Sequence, residues 1–345
     1  MKSIIILVLI ALSVENVLGD KEYVIDLNLP PKDRYRHIVN EYKNSVLQIF
    51  DTIKNGTSKD IWGILLNAYS TVVVNMYKEY AEEIAGIAAI LGVTAGDYYA
   101  INCFYELMVM CTSIVARDKN NNLILARNFD FGFTEILRKI HINVVYMRNN
   151  KVVAKCGNIA GYVGVFTCLK PGAFAVSMNA RGMGNLQDFI SRLLQGKILT
   201  TWLLRDTTLK AETYEDAVKE IKTAMTVSGS YIIIAGMKGN EGTVITRARD
   251  SIVSSREISK DTWYLVKCNS DDNVITDERT NWANEAMTKL KQSNTNLDTI
   301  LSNVLMQHPL LRSNTVSTIL MSPIDNYFKS IIATKEITED SSLFD

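Results

Sequence analysis

Histidine is scarce in this chain: His37, His141 and His308 are the only three in 345 residues. His37 falls among helical charges, His141 opens a strand-like run and His308 precedes Pro309, so structural roles fit all three. The common hydrolase signatures are missing too, with no HExxH, no Gly-x-Ser-x-Gly and no phosphate loop. Gly182-Met-Gly184 lacks the third glycine of a dinucleotide fingerprint and reads as a turn. Five cysteines occur without a CxxC, which removes the usual sign of a zinc or thioredoxin-type centre. Neither a metal nor an organic cofactor is therefore expected. Charge of one sign is lacking as well, because 37 basic side chains balance 37 acidic ones and no Lys/Arg stripe forms. That pattern argues against nucleic acid as a partner.

Long apolar runs are confined to the N-terminus. Lys2 is followed by an apolar stretch over residues 4–12 and a polar stretch that ends at Gly19. The run is too short to span a bilayer but has the order of a secretory leader, with cleavage expected after Gly19. A later apolar run, residues 84–93, is broken by Gly86 and Gly92. A soluble protein, exported or lumenal, is the expectation. Export permits disulfides among Cys103, Cys111, Cys156, Cys168 and Cys268, an odd set that leaves one unpaired in a monomer. Asn55-Gly-Thr57 is a single glycosylation sequon.

Periodicity divides the remainder. Residues 23–29 alternate as a short strand closed by Pro30 and Pro31. Tyr35, Ile38, Val39, Tyr42, Val46, Ile49, Phe50 and Ile53 then recur at helical spacing. Further helices are expected over residues 60–77, from Tyr80 to a stop near Gly92, and from a cap at Asp97 to about 108. After Cys111 the pattern turns to hairpins. Residues 112–117 and 123–127 flank a turn at 118–122, and residues 142–147 and 152–156 repeat the arrangement. Strand-like runs at 161–168, 173–178, 231–235, 243–247 and 262–267 alternate with helices near 187–194, 214–225 and 281–291. With no repeat or low-complexity linker, this is an α+β layered fold without independent domains.

One stretch concentrates chemistry. Cys111 stands where helix gives way to strand, and Arg127 and Asp130 end the next strand, one hairpin away. A thiol gains thiolate character beside a cation, and a base is oriented by a nearby carboxylate. A cysteine without a histidine partner can use its own α-amino group as base, provided that it becomes a chain N-terminus. A buried structural cysteine is the other reading that spacing allows.

Cys111-Thr-Ser-Ile-Val-Ala with Arg127-Asn-Phe-Asp-Phe-Gly resembles the signature of the acid ceramidase and N-acylethanolamine acid amidase family of N-terminal-nucleophile (Ntn) hydrolases. Leu27-Asn-Leu-Pro-Pro, Cys103-Phe-Tyr-Glu-Leu, Leu137-Arg-Lys, Ala160-Gly-Tyr-Val-Gly, Glu241-Gly-Thr-Val-Ile-Thr-Arg and the surroundings of Asn269 follow in matching order, over about residues 23–330. The resemblance implies an Ntn-hydrolase αββα sandwich of two mainly antiparallel sheets between helices, preceded by a helical N-terminal segment. It implies self-cleavage between Met110 and Cys111, dividing a helical segment (20–110) from a catalytic one (111–345). The two would stay together as a heterodimer, held noncovalently or by disulfide.

The implied substrate is a fatty N-acyl amide, ceramide or an N-acylethanolamine, delivered through transient contact with a membrane or a lipid-presenting protein. In the implied mechanism Cys111 is the nucleophile, Arg127 steadies thiolate and developing charge, and Asp130 holds the α-amine. Asn269 donates to the oxyanion, a contribution of about 3 kcal/mol to the barrier, and Arg279 is the remaining candidate. An ammonium–thiolate pair would suit acid conditions, since a free α-amine titrates near ~8.

Three departures from the family pattern stand out. Asn179-Ala-Arg181 lacks the family's central glutamate, Cys268-Asn-Ser-Asp lacks its aromatics, and Asp277-Glu-Arg-Thr280 replaces Asp-Asp-Arg-Arg-Thr. A bile-salt or penicillin-type acylase and a non-catalytic lipid-binding paralogue are the alternative readings.

Overall fold

The computed structural model describes residues 21–104, 109–182, 186–274 and 277–334, with side chains given for all of these but 104, 109 and 110. The expected leader lies outside them, as do residues 105–108 of the segment that precedes the nucleophile.

Thirteen strands occur among the described residues. In chain order they are β1 (Glu22–Asp26), β2 (Val109–Arg117), β3 (Leu123–Phe131), β4 (His141–Arg148), β5 (Lys151–Ile159), β6 (Thr167–Lys170) and β7 (Phe174–Ala180). β8 (Ser230–Ala235), β9 (Gly242–Arg247), β10 (Ile252–Glu257), β11 (Tyr264–Lys267), β12 (Thr315–Ser322) and β13 (Tyr327–Ile332) follow. They form an eight-stranded sheet, β1-β4-β5-β6-β7-β8-β9-β10, and a five-stranded sheet, β11-β2-β3-β12-β13. Every pairing is antiparallel except β1 with β4.

The sheets pack face to face because strand alternation sends one set of β-branched and aliphatic side chains inward. Val115, Leu125, Leu169, Ala175, Ile233, Val244 and Ile319 meet there in one fully buried cluster. The opposite set on the five-stranded sheet, Ile114, Ala126 and Leu320, lies under Ala283 and Met287 of helix Glu278–Leu290. The outer face of the larger sheet is covered by the N-terminal helices and by helix Thr200–Lys210. This is the expected αββα order.

Local signals fix the helices that matter here. Helix Lys78–Leu91 stops at Gly92, whose φ of 78° suits a residue without Cβ. Helix Ala95–Phe104 starts before Asp97, so Asp97 is not its cap. Thr94 accepts from the Asp97 N–H at 3.1 Å and returns its hydroxyl to the Asp97 carboxylate at 2.8 Å.

The segment ahead of Cys111 is built into the fold rather than laid upon it. β1 forms one edge of the large sheet. Glu83 on helix Lys78–Leu91, with no exposure, takes hydrogen bonds from Arg34 at 2.9 Å and from Arg205 Nη2 at 2.7 Å. Tyr80 stacks on Trp202, the ring centroids 4.1 Å apart. Both contacts reach helix Thr200–Lys210, on the far side of the expected cut. Removing one partner of such a buried ion pair costs about 3–5 kcal/mol.

Two further expectations change. The strand expected at 161–168 is β6 alone, because the chain from Ala160 to Phe166 forms a buried loop. Gly161 there has φ 81°, and the Asn158 amide donates to the carbonyls of Tyr162 (3.2 Å) and Gly164 (3.0 Å). Cys111 does not open its strand but is the third residue of β2.

Candidate active site

The antiparallel register of β2 with β3 brings the expected residues together. Cys111 lies opposite Phe129, Ser113 opposite Arg127, and Met110 opposite Asp130. Pleating sends the side chains of Cys111 and Arg127 toward the other sheet and that of Asp130 toward the helical layer. Asn128 of the Arg-Asn-x-Asp motif shares the Asp130 face and is structural. Its amide donates to the carbonyls of Leu305 (2.8 Å) and Leu310 (2.9 Å), and its oxygen accepts from Thr318 (2.7 Å).

Arg127 is fully buried and its fork is anchored at one end. Nη1 donates to Phe166 O (2.9 Å) and Thr167 Oγ1 (2.6 Å), while Nη2 donates to Cys111 Sγ. Phe129, with Phe166 at 5.2 Å between centroids, walls this face. Burial pushes the Cys111 thiol up to about 11; Arg127 works against that rise and Asp130 adds to it. With its main chain intact, the thiol is therefore held protonated and sealed from solvent.

The other contacts belong to the Cys111 main chain. Its N–H donates to Asn269 Oδ1 at 2.8 Å, and Asn269 Nδ2 donates to Ala180 O at 2.8 Å. Asn269 thus turns its oxygen, not its amide hydrogens, to the Cys111 nitrogen. Arg279, in the first turn of helix Glu278–Leu290, joins the group. Its Nη2 donates to Asn269 Oδ1 (3.1 Å), while Nη1 lies 3.4 Å from Cys111 O and 3.7 Å from Asp130 Oδ2.

Asp130 has no exposure, and Oδ2 accepts no hydrogen bond among the described residues. Burial raises its carboxyl to about 6 in spite of the Thr315 hydroxyl on Oδ1 (2.7 Å) and the cations of Arg279, Arg312 and Arg127. A buried carboxylate atom lacking a donor is placed to receive one.

All five expected site residues, Cys111, Arg127, Asp130, Asn269 and Arg279, meet at one point. The expected glycosylation residue, Asn55, is exposed in the last turn of helix Arg36–Gly56. Sequence reading missed Thr315 and Thr167, which hold Asp130 and Arg127; each is an ordinary strand threonine far away in the chain. The structure also pairs Cys156 with Cys168 across β5 and β6. Both lie beyond residue 111, so this disulfide does not join the two expected segments.

A buried thiol, a cation at its sulfur and an amide oxygen at its own nitrogen are thus set between two mainly antiparallel sheets. Residues 111–260 match the family described as linear amide C–N hydrolases, choloylglycine hydrolase family, and residues 20–70 match the beta subunit of N-acylethanolamine-hydrolyzing acid amidase. A probable acid ceramidase of Caenorhabditis elegans is 30% identical, over 89% of this chain and 84% of that protein. The acid ceramidase of Homo sapiens is 31% identical, over 90% and 85%. A solved Caenorhabditis elegans N-acylethanolamine-hydrolyzing acid amidase ortholog superposes with a TM-score of 0.60 at 32% identity, covering 65% of this chain and all of its own. The chain belongs to the acid ceramidase and N-acylethanolamine acid amidase family.

Proposed function

We propose that this chain is a precursor that cuts itself between Met110 and Cys111 and then hydrolyses fatty N-acyl amides, ceramide or an N-acylethanolamine. The observation that carries the reading is the division of contacts at one residue: Arg127 on the Cys111 sulfur, Asn269 on the Cys111 nitrogen. Self-cleavage begins as the thiol adds to the Met110 carbonyl. The peptide nitrogen leaves as the Cys111 amine, and water hydrolyses the resulting thioester to release the Met110 carboxylate.

In the cut enzyme the thiolate, paired with Arg127, adds to the substrate amide. The new ammonium lies between Asn269 Oδ1 and Asp130 Oδ2 and passes its proton to the departing amine. Asn269 Nδ2, which holds Ala180 O in this structure, is the donor assigned to the oxyanion. Arg279 bridges Asp130 and Asn269 and keeps both in register. Water then frees the fatty acid and restores the thiol. The leader-like order of residues 1–19 and the sequon at Asn55 support export to the lysosome or the cell exterior. The buried Glu83 contacts keep the two segments joined as a heterodimer.

Incubation at acid pH followed by N-terminal sequencing tests the first step, which requires a chain that starts at Cys111. Release of fatty acid from ceramide set against palmitoylethanolamide then decides the amine. A protein that stays whole and releases acid from neither substrate overturns the proposal.

A further inference from the structure

Two loops meet beside the Cys111 nitrogen. One leaves β7 through Ala180 and Arg181, and the other leaves β11 through Asn269 and Asp271. Asn269 spans them by its bond to Ala180 O at 2.8 Å. Beyond Asn269 lies a second, stiffer link. Arg181 donates Nε to Asp271 Oδ1 and Nη2 to Asp271 Oδ2, both at 2.7 Å. The Tyr231 hydroxyl, from β8, donates to Asp271 Oδ1 at 2.9 Å and lies 3.3 Å from Asn269 O. Before Asn269 the backbone is gripped as well, since Asn179 Nδ2 donates to Lys267 O (2.8 Å) and Cys268 O (3.2 Å).

We propose that Arg181, Asp271 and Tyr231 are positioning residues for amide hydrolysis, a clamp that fixes Asn269 against the Cys111 nitrogen. The proposal rests on the reading of Cys111 as nucleophile given above and adds what aims its partner. A loop asparagine can rotate about two side-chain bonds. The Asn269 side chain is held by the Cys111 N–H, Ala180 O and Arg279. A planar bidentate pair two residues on fixes the spacing of the two loops that carry those contacts, because Arg–carboxylate forks are directional. Ala180 O takes the Asn269 amide at 2.8 Å and Arg181 follows it directly, so the loop pair holds that carbonyl in place while Arg279 holds the Asn269 oxygen. Hydrogen bonds from Arg181, with that of Tyr231 behind them, hold the Asp271 carboxyl at about 2. The pair therefore stays ionised through the acid range. Its members are partly exposed, at 24% for Arg181 and 34% for Asp271, so the pair adds little to global stability and can be altered in a folded protein.

The test uses the full chain with Asp271→Ala, Asp271→Asn and Tyr231→Phe, measuring kcat and KM on a fluorogenic fatty N-acyl amide together with Tm. Displacement of a catalytic group by about 1 Å costs roughly 100-fold. Asp271→Ala is accordingly expected to lower kcat by roughly 10- to 100-fold with KM within about threefold and Tm within about 3 °C. Tyr231→Phe should lose less in the same direction, and Asp271→Asn, which keeps an acceptor, should recover part of the Ala loss. The clamp is overturned if Asp271→Ala keeps kcat within about twofold, or if the loss follows a matching fall in Tm. A wild-type chain that neither exposes Cys111 as an N-terminus nor hydrolyses the amide overturns the reading of the site instead. An active wild type with unaffected clamp variants overturns the clamp alone.

Discussion

The two faces of the β2–β3 pair differ in kind. Toward the other sheet lie the Cys111 thiol, one cation and an aromatic wall of Phe129 and Phe166. Toward the helical layer lie Asp130, Thr315 and Arg279, with Asn269 at the edge. In the proposed mechanism the first face governs the nucleophile and the second handles the proton. The pleat of a strand places these functions on opposite sides of a single residue, Cys111. One consequence is that substitutions on the two faces should fail in different ways.

The largest effect falls where both faces meet. Cys111→Ala should stop self-cleavage and reduce hydrolysis by roughly 10⁴-fold or more, as loss of a covalent nucleophile does. Intact mass should show a single uncut chain. On the thiol face, Arg127→Lys keeps a charge but loses the fork that joins Phe166 and Thr167 to the sulfur. A fall in kcat of roughly 10²- to 10³-fold, comparable with loss of an oxyanion donor, is expected. Iodoacetamide modification of cut protein at varied pH should place the thiol pKa higher than in the wild type. An unchanged alkylation profile would break the assignment of this face.

Asp130→Asn sharpens the contrast because stability and activity should move in opposite directions. The folded carboxyl titrates at about 6, above its ordinary 3.8. The uncut fold therefore keeps its full stability below about pH 4 and loses roughly 3 kcal/mol as pH rises through 6. Asparagine removes that loss. In a Cys111→Ala background, the urea midpoint of Asp130→Asn should rise relative to Asp130 between pH 4 and pH 7, while the cut single variant loses activity. Equal midpoints at pH 7 would show that the carboxylate carries no such cost.

How much of this was legible in the sequence follows the same division. Cys111, Arg127 and Asp130 share one hairpin, and short-range spacing was enough to set them together. Asn269 and Arg279 needed family resemblance, because they come from a loop and a helix start 158 and 168 residues beyond Cys111. Thr315 had no local signal at all, since only β12 pairing with β3 brings it to Asp130. Of the elements missed, two have no exposed face to read. Helix Thr200–Lys210 is buried on nearly every side, including Thr200, Thr201, Arg205, Thr207 and Thr208, so it has no amphipathic stripe to read. β12 is buried at all eight positions and does not alternate. The Ala160–Phe166 loop read as a strand because its residues are apolar, yet two glycines and the Asn158 amide set its path.

His141 tests whether the thiol face tolerates a second cation. It is buried, its Nε2 lies 3.0 Å from Ser317 Oγ, and burial, with Arg127 nearby, lowers it from 6.5 to about 4. The folded state then binds fewer protons than the unfolded one between those values. Stability should be complete above pH 6.5 and fall by up to about 3 kcal/mol as pH drops to 4. His141→Asn should flatten that part of the stability–pH curve. A curve with the same acid slope in both proteins would place the titration elsewhere.

Thr315→Val should give the smallest change, and it acts on the proton face alone. The threonine hydroxyl donates to Asp130 Oδ1 at 2.7 Å and accepts from the Arg312 N–H at 3.0 Å. A hydrogen bond to a charged group contributes about 1.5–3 kcal/mol, and valine keeps the shape without the donor. The carboxyl should therefore titrate higher than in the wild type, leaving less ionised Asp130 to hold the ammonium in acid. Activity should fall by roughly three- to tenfold near pH 5 and recover as pH rises, with thiol alkylation unchanged. A loss that is the same at every pH would mean that Thr315 supports the strand and not the charge. The separation of the two faces would then have lost its cleanest probe.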